Sequence, residues 1–382
     1  MKQLSRHTHV GNSYEICVDR TKPLAAQPET GHNRWHPEIT PILRVDPEDE
    51  VTLHTRDALD GLITPDSASV DILQLDLTRA HPLTGPIFIS DAAPGDVLEV
   101  KILEIEPESF GYTMLLPGAG LLKEHFPEPY LTLWNIRDGF ATSPQIRRVR
   151  IPGQPFMGVM GVAPSHALLN SITKNEKKLA EQGIKVALPS VKGAVPQSGP
   201  VSVAGLRTIP PNKNGGNMDV KQLKSGSTLF LPVLTEGALF SAGDAHFAQG
   251  DGESCGTGIE MAAKLRVQFR VHKHGSQRFV TRPLHFEYVD DAPLGKDRRK
   301  YHATIGISTR PDGSIEPGNL TLASQNALLG MIDYIVAEHS LSREQAYILT
   351  SLAVDLKISQ IVNQPNVLVS AFLPLDIFVP DA

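Results

Sequence analysis

The local patterning of the chain predicts an α+β fold that is mainly β. Its 382 residues include 31 glycines and 30 prolines, which favour many turns over long helices. Tight-turn signals, such as those at 45–51 and 93–98, precede alternating apolar residues, a pattern typical of strands that enter hairpins. From Leu320 onward the apolar spacing becomes helical, and Ser342 with Gln345 forms a capping box. These features predict many strands followed by two amphipathic helices.

Four parts follow one another along the chain. By the usual ~150 residues per domain, the length predicts two or three domains. The first part opens with a strand in YEICVD, should bury Trp134, and brings backbones close together at Gly158 and Gly161. A lysine-rich stretch from Ser171 predicts a surface helix, and alternation around Gly275 predicts a hairpin. The parts are an N-terminal β part at 1–165, a connection at 166–205, a central β part at 206–318, and a part with two helices and a closing strand at 319–382.

Charge and apolar runs exclude several classes of protein. The formal net charge is −6 and no basic run occurs, which argues against a nucleic-acid or anionic-membrane surface. No run reaches the ~18 apolar residues of a membrane span, since Asp333 interrupts ALLGMIDYIVA. Cys17 and Cys255 are too few for a disulfide framework, and the first ten residues lack the apolar segment of a secretory signal. We expect a cytoplasmic protein with a small-molecule substrate and with no nucleic-acid or membrane partner.

The stretch FSAGDAHFAQGDGESCGTGIEM at 240–261 concentrates groups that carry chemistry. It gathers Asp244, His246, Asp251 and Glu253 among glycines, without a lysine or an arginine. On a strand the side chains of Asp244 and His246 leave the same face, and Asp251 and Glu253 repeat that spacing after a glycine turn. Acidic groups gathered in this way repel one another unless a cation lies among them.

A divalent metal site is one prediction from this stretch. Its ligands would be Asp244, His246 and Glu253, with Asp219 as a base or an additional ligand. Zinc accepts imidazole and carboxylate together, and calcium is the alternative metal. Spacing alone leaves two other interpretations open, a solvated acidic loop and a hairpin turn that binds structural Ca²⁺. No HExxH or CxxC pattern in this stretch decides between them.

A family resemblance adds to these patterns. The stretch from Ser241, together with PPNKNGGNMDV at 210–220 and HNRWHPEITPILRV at 32–45, resembles the acetamidase/formamidase family of short-chain amide hydrolases. LTGPIFISDAAPGDVLEVKI, GVMGVAPS and the C-terminal helical segment extend the resemblance through most of the chain. It implies hydrolysis of formamide or acetamide to ammonia and the acid. It also implies a jellyroll-like β-sandwich with a second β part and a C-terminal α/β part.

The resemblance also suggests residues that bind the substrate. HNRWHP places His36 at the site, GVAPS at 161–165 lines it, and Asp66 is our choice within the acid-rich loop that ends at His81. From the residues alone, His36 is equally well a surface-loop histidine beside a core Trp35, and acid-rich loops are usually solvated.

Amide hydrolysis requires an activated water, a stabilised oxyanion and a proton for the leaving nitrogen. Glu253 and Asp219 are the candidate carboxylates for proton transfer. Asn217, predicted on one strand face with Asp219, and the backbone N–H groups of Gly256 or Thr257 are the candidate oxyanion donors. Asp219 is alternatively a turn cap after the Gly-Gly pair.

Two rival functions are retained. Cys255 lies two residues from Glu253 and would act as the nucleophile of an amidase without a metal. A jellyroll module that binds small polar ligands or Ca²⁺ without chemistry is the other. In every case we expect a homo-oligomer, a dimer or higher, because both C-terminal helices carry apolar faces and members of the family generally associate.

Overall fold

A large mixed β-sheet organises the molecule, which a computed structural model describes for residues 11–275, 284–289 and 299–379. Fifteen of the described strands belong to this sheet, β3 and β12 form a separate pair, and β18–β20–β19 form a small antiparallel sheet. The strands are β1 Ser13–Ile16, β2 Gly31–His32, β3 Arg34–Trp35, β4 Leu43–Val45, β5 Glu50–His54, β6 Leu83–Ile89, β7 Val97–Leu115, β8 Tyr130–Arg137, β9 Phe140–Thr142, β10 Ile151–Pro152, β11 Phe156–Gly161, β12 Leu206–Arg207, β13 Gly215–Asn217, β14 Thr228–Pro232, β15 Phe240–His246, β16 Glu260–His272, β17 His285–Glu287, β18 Tyr301–Ile307, β19 Asp355–Gln360 and β20 Leu368–Pro374.

The long strands β7 and β16 form the spine of the large sheet. They run antiparallel from the pair Tyr112 and Glu260 to the pair Val97 and His272. Alternate residues of β16, among them Leu265 and Val267, are fully buried, because a strand presents every second side chain to the core. Strand β15 pairs with β16, β11 and β6, so the residues of β15 lie at the centre of this arrangement.

A loop between β5 and β6 covers one face of β7 and β8. Two 3₁₀ segments, Ser69–Gln74 and Leu77–Arg79, lie within this loop. Its apolar side chains form a second, smaller core against the strands, with Ile63 and Ile72 from the loop and Tyr112 from β7 among its members. The loop therefore encloses the sheet surface next to Tyr112 and its cross-strand partner.

The helices are α1 His166–Glu181, α2 Gly199–Ala204, α3 Leu320–His339 and α4 Arg343–Ala353. The expected surface helix exists as α1, but it begins five residues before Ser171 because the Ser165 side chain accepts a hydrogen bond from the Leu168 N–H and caps it there. Both C-terminal helices are confirmed, as is the capping box at the start of α4. By length and composition α3 could cross a membrane. Its buried side chains instead pack in the core against α4, β18 and β20, as those of a core helix do.

The predicted class, α+β and mainly β, is confirmed. Trp35 and Trp134 are both buried, and the first strand is Ser13–Ile16. The return strand of the predicted hairpin after Gly275 falls partly on 276–283, outside the described residues, and the strand that follows, β17, pairs with β14.

Candidate active site

Five ionisable side chains converge at the end of β15. Asp244 and His246 lie on β15, and the cross-strand partner of His246 is Glu260, the first residue of β16. His246 Nε2 lies 3.0 Å from Glu260 Oε2 and 3.5 Å from Asp244 Oδ1. Asp219, after β13, and Glu253, in the turn between β15 and β16, form a second group with the same histidine. In each group the ligand atoms lie within 4.8 Å of one another, close enough to share one ion.

Three of these acidic residues adopt a backbone conformation that residues other than glycine rarely adopt. Asp219, Asp244 and Glu253 have φ angles of 49°, 58° and 42°, in the left-handed region. Such residues cost free energy and persist where the surrounding structure requires them, commonly at functional sites. The unusual backbone conformation at each acid therefore sets the direction of its carboxylate.

Glycines allow the strands to approach the carboxylates. A Cβ atom at Gly158 on β11 would lie 2.5 Å from Asp219 Oδ1 and 2.8 Å from Asp244 Oδ2. A Cβ atom at Gly258 would lie 2.9 Å from His246 Nδ1. The close backbone approach predicted at Gly158 and Gly161 is confirmed, since a Cβ at Gly161 would contact the Gly216 nitrogen at 2.8 Å. Even a methyl group at Gly158 is thus incompatible with the observed cluster.

Gln249 fixes the orientation of the His246 ring. His246 Nδ1 lies 2.8 Å from Gln249 Oε1, and the amide nitrogen of Gln249 donates to the Asp219 carbonyl at 3.0 Å. Because the amide oxygen can only accept, Nδ1 carries a proton. The other ring nitrogen, Nε2, therefore faces the carboxylates, an arrangement common for histidines that bind metals. Phe156 packs its ring edge-on against the imidazole at 5.1 Å.

Several buried polar atoms of the cluster lack a hydrogen-bond partner within the described part of the chain. They are Asp219 Oδ1, Asp244 Oδ1, His246 Nε2 and Glu260 Oε2. Asp244, His246 and Glu260 are each no more than 3% exposed. Buried polar groups are normally satisfied, and a group of exceptions in one place indicates a missing partner such as an ion.

Burial and mutual repulsion raise the pKa values of three carboxylates and so favour their neutral forms. Burial raises the pKa of Glu260 to about 8, although His246 lowers it in part. Burial, reinforced by the charge of Asp219, raises the pKa of Glu253 well above its usual value. Burial also raises the pKa of Asp219 to about 6. These carboxylates cannot all be ionised without a positive charge among them.

Asp244 is shifted in the opposite direction. Burial alone would raise its pKa, but the charges of His81 and His246 outweigh that effect and hold it well below its usual value. Burial would lower the pKa of His246, whereas Glu260 and Asp244 raise it well above its usual value. The ion pair at the centre of the cluster therefore consists of His246 and Asp244, with Glu260 beside it.

Sequence reasoning did not select Glu260, Gln249 or His81 as site residues. Glu260 joins the site only because β15 and β16 pair across the sheet. His81 precedes β6, which pairs with β15, and its Nδ1 is buried without a hydrogen-bond partner. Its position at the end of the acid-rich loop was the only signal, and spacing could not show that it approaches Asp244.

The proposed ligand set is not found as one group. Asp244 and Glu253 fall in different groups around His246, the first with Glu260 and the second with Asp219. Asp251 belongs to neither. It lies 3.6 Å from the Lys221 ammonium group instead, because the turn after β15 points it toward that side chain.

The predicted strand face shared by Asn217 and Asp219 is wrong. Strand β13 ends at Asn217, and the left-handed conformation of Asp219 takes the chain out of the sheet. Both side chains nevertheless lie partly buried beside β11, since Asn217 pairs with Val159 and the Asp219 N–H reaches the Gly158 carbonyl at 3.3 Å. Asn217 Oδ1 is buried without a hydrogen-bond partner.

Two predicted substrate-binding residues lie apart from the cluster. His36 is buried beside the first turn of α1, where its ring meets that of His166 edge-on and its Nδ1 accepts the Glu38 N–H. Asp66 is exposed in the loop between β5 and β6. Neither residue contributes to the groups of possible metal ligands.

The residues after Glu253 are committed to the turn. The Gly256 N–H donates to the Glu253 carbonyl at 2.8 Å, so it is not free to stabilise an oxyanion. The Thr257 hydroxyl exchanges hydrogen bonds with the backbone of Met114 at 3.1 Å. Cys255 is 2% exposed, and burial raises the pKa of its thiol to about 11. A thiol in this state is mostly protonated and is a poor nucleophile at neutral pH.

Comparison with known proteins identifies the family to which this fold and this cluster belong. The model of the Acetamidase/Formamidase family matches residues 17–380. The chain belongs to the acetamidase/formamidase family. A formamidase of Methylophilus methylotrophus is 34% identical over 95% of this chain and 93% of that protein. An acetamidase of Mycolicibacterium smegmatis is 34% identical over 87% of this chain and 88% of that protein.

Solved structures of similar proteins share the fold. A γ-lactamase from Delftia acidovorans superposes with a TM-score of 0.91 at 33% identity, covering 97% of this chain and 94% of that chain. An acetamidase from Bacillus halodurans superposes with a TM-score of 0.54 at 28% identity, covering 92% and 97%. The predicted family membership is confirmed, and so is the prediction of an enzyme, an amide hydrolase of the acetamidase/formamidase type.

Proposed function

We propose that this member of the acetamidase/formamidase family hydrolyses short aliphatic amides, formamide or acetamide, at a divalent metal held by Asp244, His246 and Glu260. The observation that carries the proposal is the set of three buried atoms, Asp244 Oδ1, His246 Nε2 and Glu260 Oε2, that face one another without hydrogen-bond partners. A cation at their centre would satisfy all three. This ligand set replaces Glu253 of the sequence prediction with Glu260.

The donor atoms favour zinc over calcium. Zinc accepts both imidazole and carboxylate, and its catalytic sites use three protein ligands, whereas Ca²⁺ takes six to eight oxygen ligands. His246 offers only one free ring nitrogen, because Gln249 occupies the other. That supports a single ion rather than one in each group of possible ligands.

The proposal gives separate roles to the two groups. A bound divalent cation would polarise the amide carbonyl and lower the pKa of a nearby water. Glu253 and Asp219 are less deeply buried than the ligands, so they can meet water and substrate. The charge of such a cation would lower the raised pKa of Glu253, so that an ionised Glu253 could accept a proton from the attacking water and return it to the leaving nitrogen, with Asp219 modulating its proton affinity.

Two groups near the cluster can orient the substrate. The Asn217 side chain and the His81 ring both carry buried atoms without hydrogen-bond partners. An amide presents one acceptor and one donor group, so Asn217 Oδ1 can accept a hydrogen bond from its N–H group and the His81 ring can donate one to its carbonyl oxygen. His81 replaces the Gly256 N–H as a candidate oxyanion donor.

The rival mechanism through Cys255 has less support. Its sulfur lies 3.5 Å from the Thr257 hydroxyl and 3.7 Å from the Met114 carbonyl, inside the core. Neither a histidine nor a lysine contacts the sulfur in the described part of the chain to remove its proton. The calcium-binding module without chemistry is disfavoured by the family membership.

We expect the purified protein to release ammonia from formamide, acetamide or propionamide, and not from a blocked dipeptide amide. The expected specificity follows from deep ligands that only a small substrate can reach. Ammonia release and carboxylate formation should be measured with each compound at saturating concentration. A preference for the dipeptide would overturn the proposed substrate class.

A γ-lactam belongs in the same assay, because one similar structure carries the name γ-lactamase. Opening of a lactam ring yields an amino acid and no free ammonia, so the two activities are distinguished by product. Lactam opening without any ammonia release from linear amides would show that the linear-amide proposal is wrong.

The remaining proposals concern the cellular location, the assembly, the sandwich architecture and the division of the chain into parts. We propose a cytoplasmic homo-oligomer built from C2 dimers. We also retain the jellyroll-like sandwich and the four-part division at 1–165, 166–205, 206–318 and 319–382. Strands from the first and third parts, such as β7 and β16, nevertheless pair in one sheet.

A further inference from the structure

His81 lies beside the cluster although it belongs to neither group of possible metal ligands. The carbonyl oxygen of Pro82, the next residue, lies 2.4 Å from where a Cβ atom at Gly243 would be, so the chain at His81 abuts the residue that precedes Asp244. Burial acts to raise the pKa values of Asp219 and Asp244, whereas the charge of His81 acts to lower both. The His81 ring therefore lies close to one carboxylate of each group.

The backbone of His81 is held by one hydroxyl group from a distant segment. The Thr208 hydroxyl accepts a hydrogen bond from the His81 N–H and donates one to the His81 carbonyl at 3.2 Å. Thr208 is fully buried and directly follows β12, 127 residues further along the chain. A neighbouring strand would satisfy the two backbone groups of a residue in the same way. The hydroxyl thus takes the place of a strand at a point where β6, which begins at Leu83, has not yet started.

The strand pair β3–β12 also holds the segment that leads to His81. The Arg207 guanidinium donates to the Leu77 carbonyl, and the Arg34 guanidinium donates to the Thr78 carbonyl at 3.3 Å. Arg34 and Arg207 are direct cross-strand partners, and both are buried. Like charges in that position are unfavourable unless other groups compensate them, and these carbonyls do so in part. The segment that ends at His81 is therefore fixed to this strand pair.

We propose that Thr208 is a positioning residue of the active site, whose hydroxyl fixes the backbone of His81 so that the ring can bind the amide carbonyl oxygen. The inference rests on the proposed function, which gives His81 this role. Thr208 acts through His81 and does not itself touch the substrate. A hydrogen bond to the carbonyl oxygen strengthens as negative charge develops there during the attack of water. Accurate placement of the ring therefore matters most in the transition state.

Thr208→Val removes the hydroxyl and keeps the shape of the side chain. We expect kcat for acetamide to fall about tenfold with KM changed less than about twofold, since the lost interaction strengthens in the transition state. Thr208→Ser keeps the hydroxyl and should return kcat to within about twofold of the wild type. The metal content should be the same in both variants, because neither Thr208 nor His81 belongs to a group of possible ligands.

Thr55→Val is the matched control for Thr208→Val. The Thr55 hydroxyl likewise accepts a hydrogen bond from the Ala263 N–H at 3.3 Å and donates one to the Ala263 carbonyl at 3.2 Å, and Thr55 is also fully buried. Ala263 lies outside both groups of possible ligands around His246. We expect this variant to unfold at a lower temperature, as Thr208→Val does, and to keep its kcat.

A double-mutant cycle separates positioning from a general loss of stability. His81→Ala removes the ring and leaves the backbone groups that Thr208 binds. We expect Thr208→Val to lower kcat about tenfold in the wild type but less than about twofold in the His81→Ala background, with the same change in unfolding temperature in both. Equal losses of kcat in the two backgrounds, or no loss in the single variant, would overturn the proposal.

Enzyme labelled with ¹³C at the histidine Cε1 atoms gives a readout that needs no turnover. His81→Ala identifies the His81 resonance among those of the 14 histidines. We expect this resonance to shift or broaden in Thr208→Val and to keep its position in Thr208→Ser and Thr55→Val. An unchanged resonance in Thr208→Val would overturn the positioning role. A shifted resonance in an enzyme that releases no ammonia from any linear amide would contradict the proposed substrate class and still support the placement of His81 by Thr208.

Discussion

Replacing His246 by alanine should remove the bound metal and reduce amide hydrolysis by about 10³-fold or more, the scale of losing a central catalytic interaction. The reason is that Nε2 of His246 lies between Asp244 and Glu260 and is the only nitrogen donor in either group around it. Metal content and ammonia release should be measured on the same preparation.

Cys255→Ala is the matched comparison for His246→Ala. Both side chains are almost fully buried, His246 at the end of β15 and Cys255 in the turn that follows, so both variants remove buried atoms from the same region. We expect Cys255→Ala to retain its metal and most of its activity, since the sulfur interacts with Met114, Thr257 and Ser351 and belongs to neither group of possible metal ligands around His246. Full activity in His246→Ala with none in Cys255→Ala would establish the nucleophilic mechanism instead.

Gly158→Ala should reduce activity by about 10²-fold, which is the scale expected when catalytic groups are misplaced by about 1 Å. The added methyl group would lie 2.5 Å from Asp219 Oδ1 and 2.8 Å from Asp244 Oδ2, so one carboxylate of each group must move. Overpacking of this kind also costs about 1–3 kcal/mol of unfolding free energy. Activity, metal affinity and thermal unfolding should be recorded together.

The control for Gly158→Ala is Gly330→Ala in α3. There the nearest atoms to a new Cβ belong to Thr304, at 3.7 and 3.8 Å, which is ordinary contact. Because alanine favours a helix by about 1 kcal/mol over glycine, this variant should be as stable as the wild type or more so, and fully active. Equal activity in both variants would mean that the close approach of Gly158 has no role in the site.

The sequence predicted the part of the site that depends on local periodicity. Asp244 and His246 both lie on β15, and their side chains meet, as the spacing of two led us to expect. Gly158 was predicted to permit close backbone approach, and it does. Trp134 and the two C-terminal helices were predicted from apolar patterning, which reports burial directly.

The rest of the site depends on pairing across the sheet, which local patterns do not encode. Glu260 meets His246 because β15 and β16 pair antiparallel to each other. His81 approaches Asp244 because β6 pairs with β15. Asp251 resembled a ligand by spacing, but the structure places it 3.6 Å from the ammonium group of Lys221, which also pairs with Asp355. In each case the deciding contact joins residues from different strands or loops.

Another group of possible metal ligands lies near the surface and could add to the metal content, so it must be removed before the metal content is measured. Glu15, Cys17 and His54 also lie within ligand distance of one another, at the edge formed by β1 and β5. Cys17 is exposed, so Cys17→Ser removes the thiol of this group without disturbing the core.

Elemental analysis of the Cys17→Ser enzyme, before and after dialysis against a chelator, tests the proposed metal site most directly. We expect about one zinc per chain in the active protein, loss of metal and activity together on chelation, and recovery of both when Zn²⁺ is returned. An enzyme that hydrolyses acetamide at its full rate after the metal has been removed would contradict the assignment of Asp244, His246 and Glu260 as the ligands of a catalytic metal.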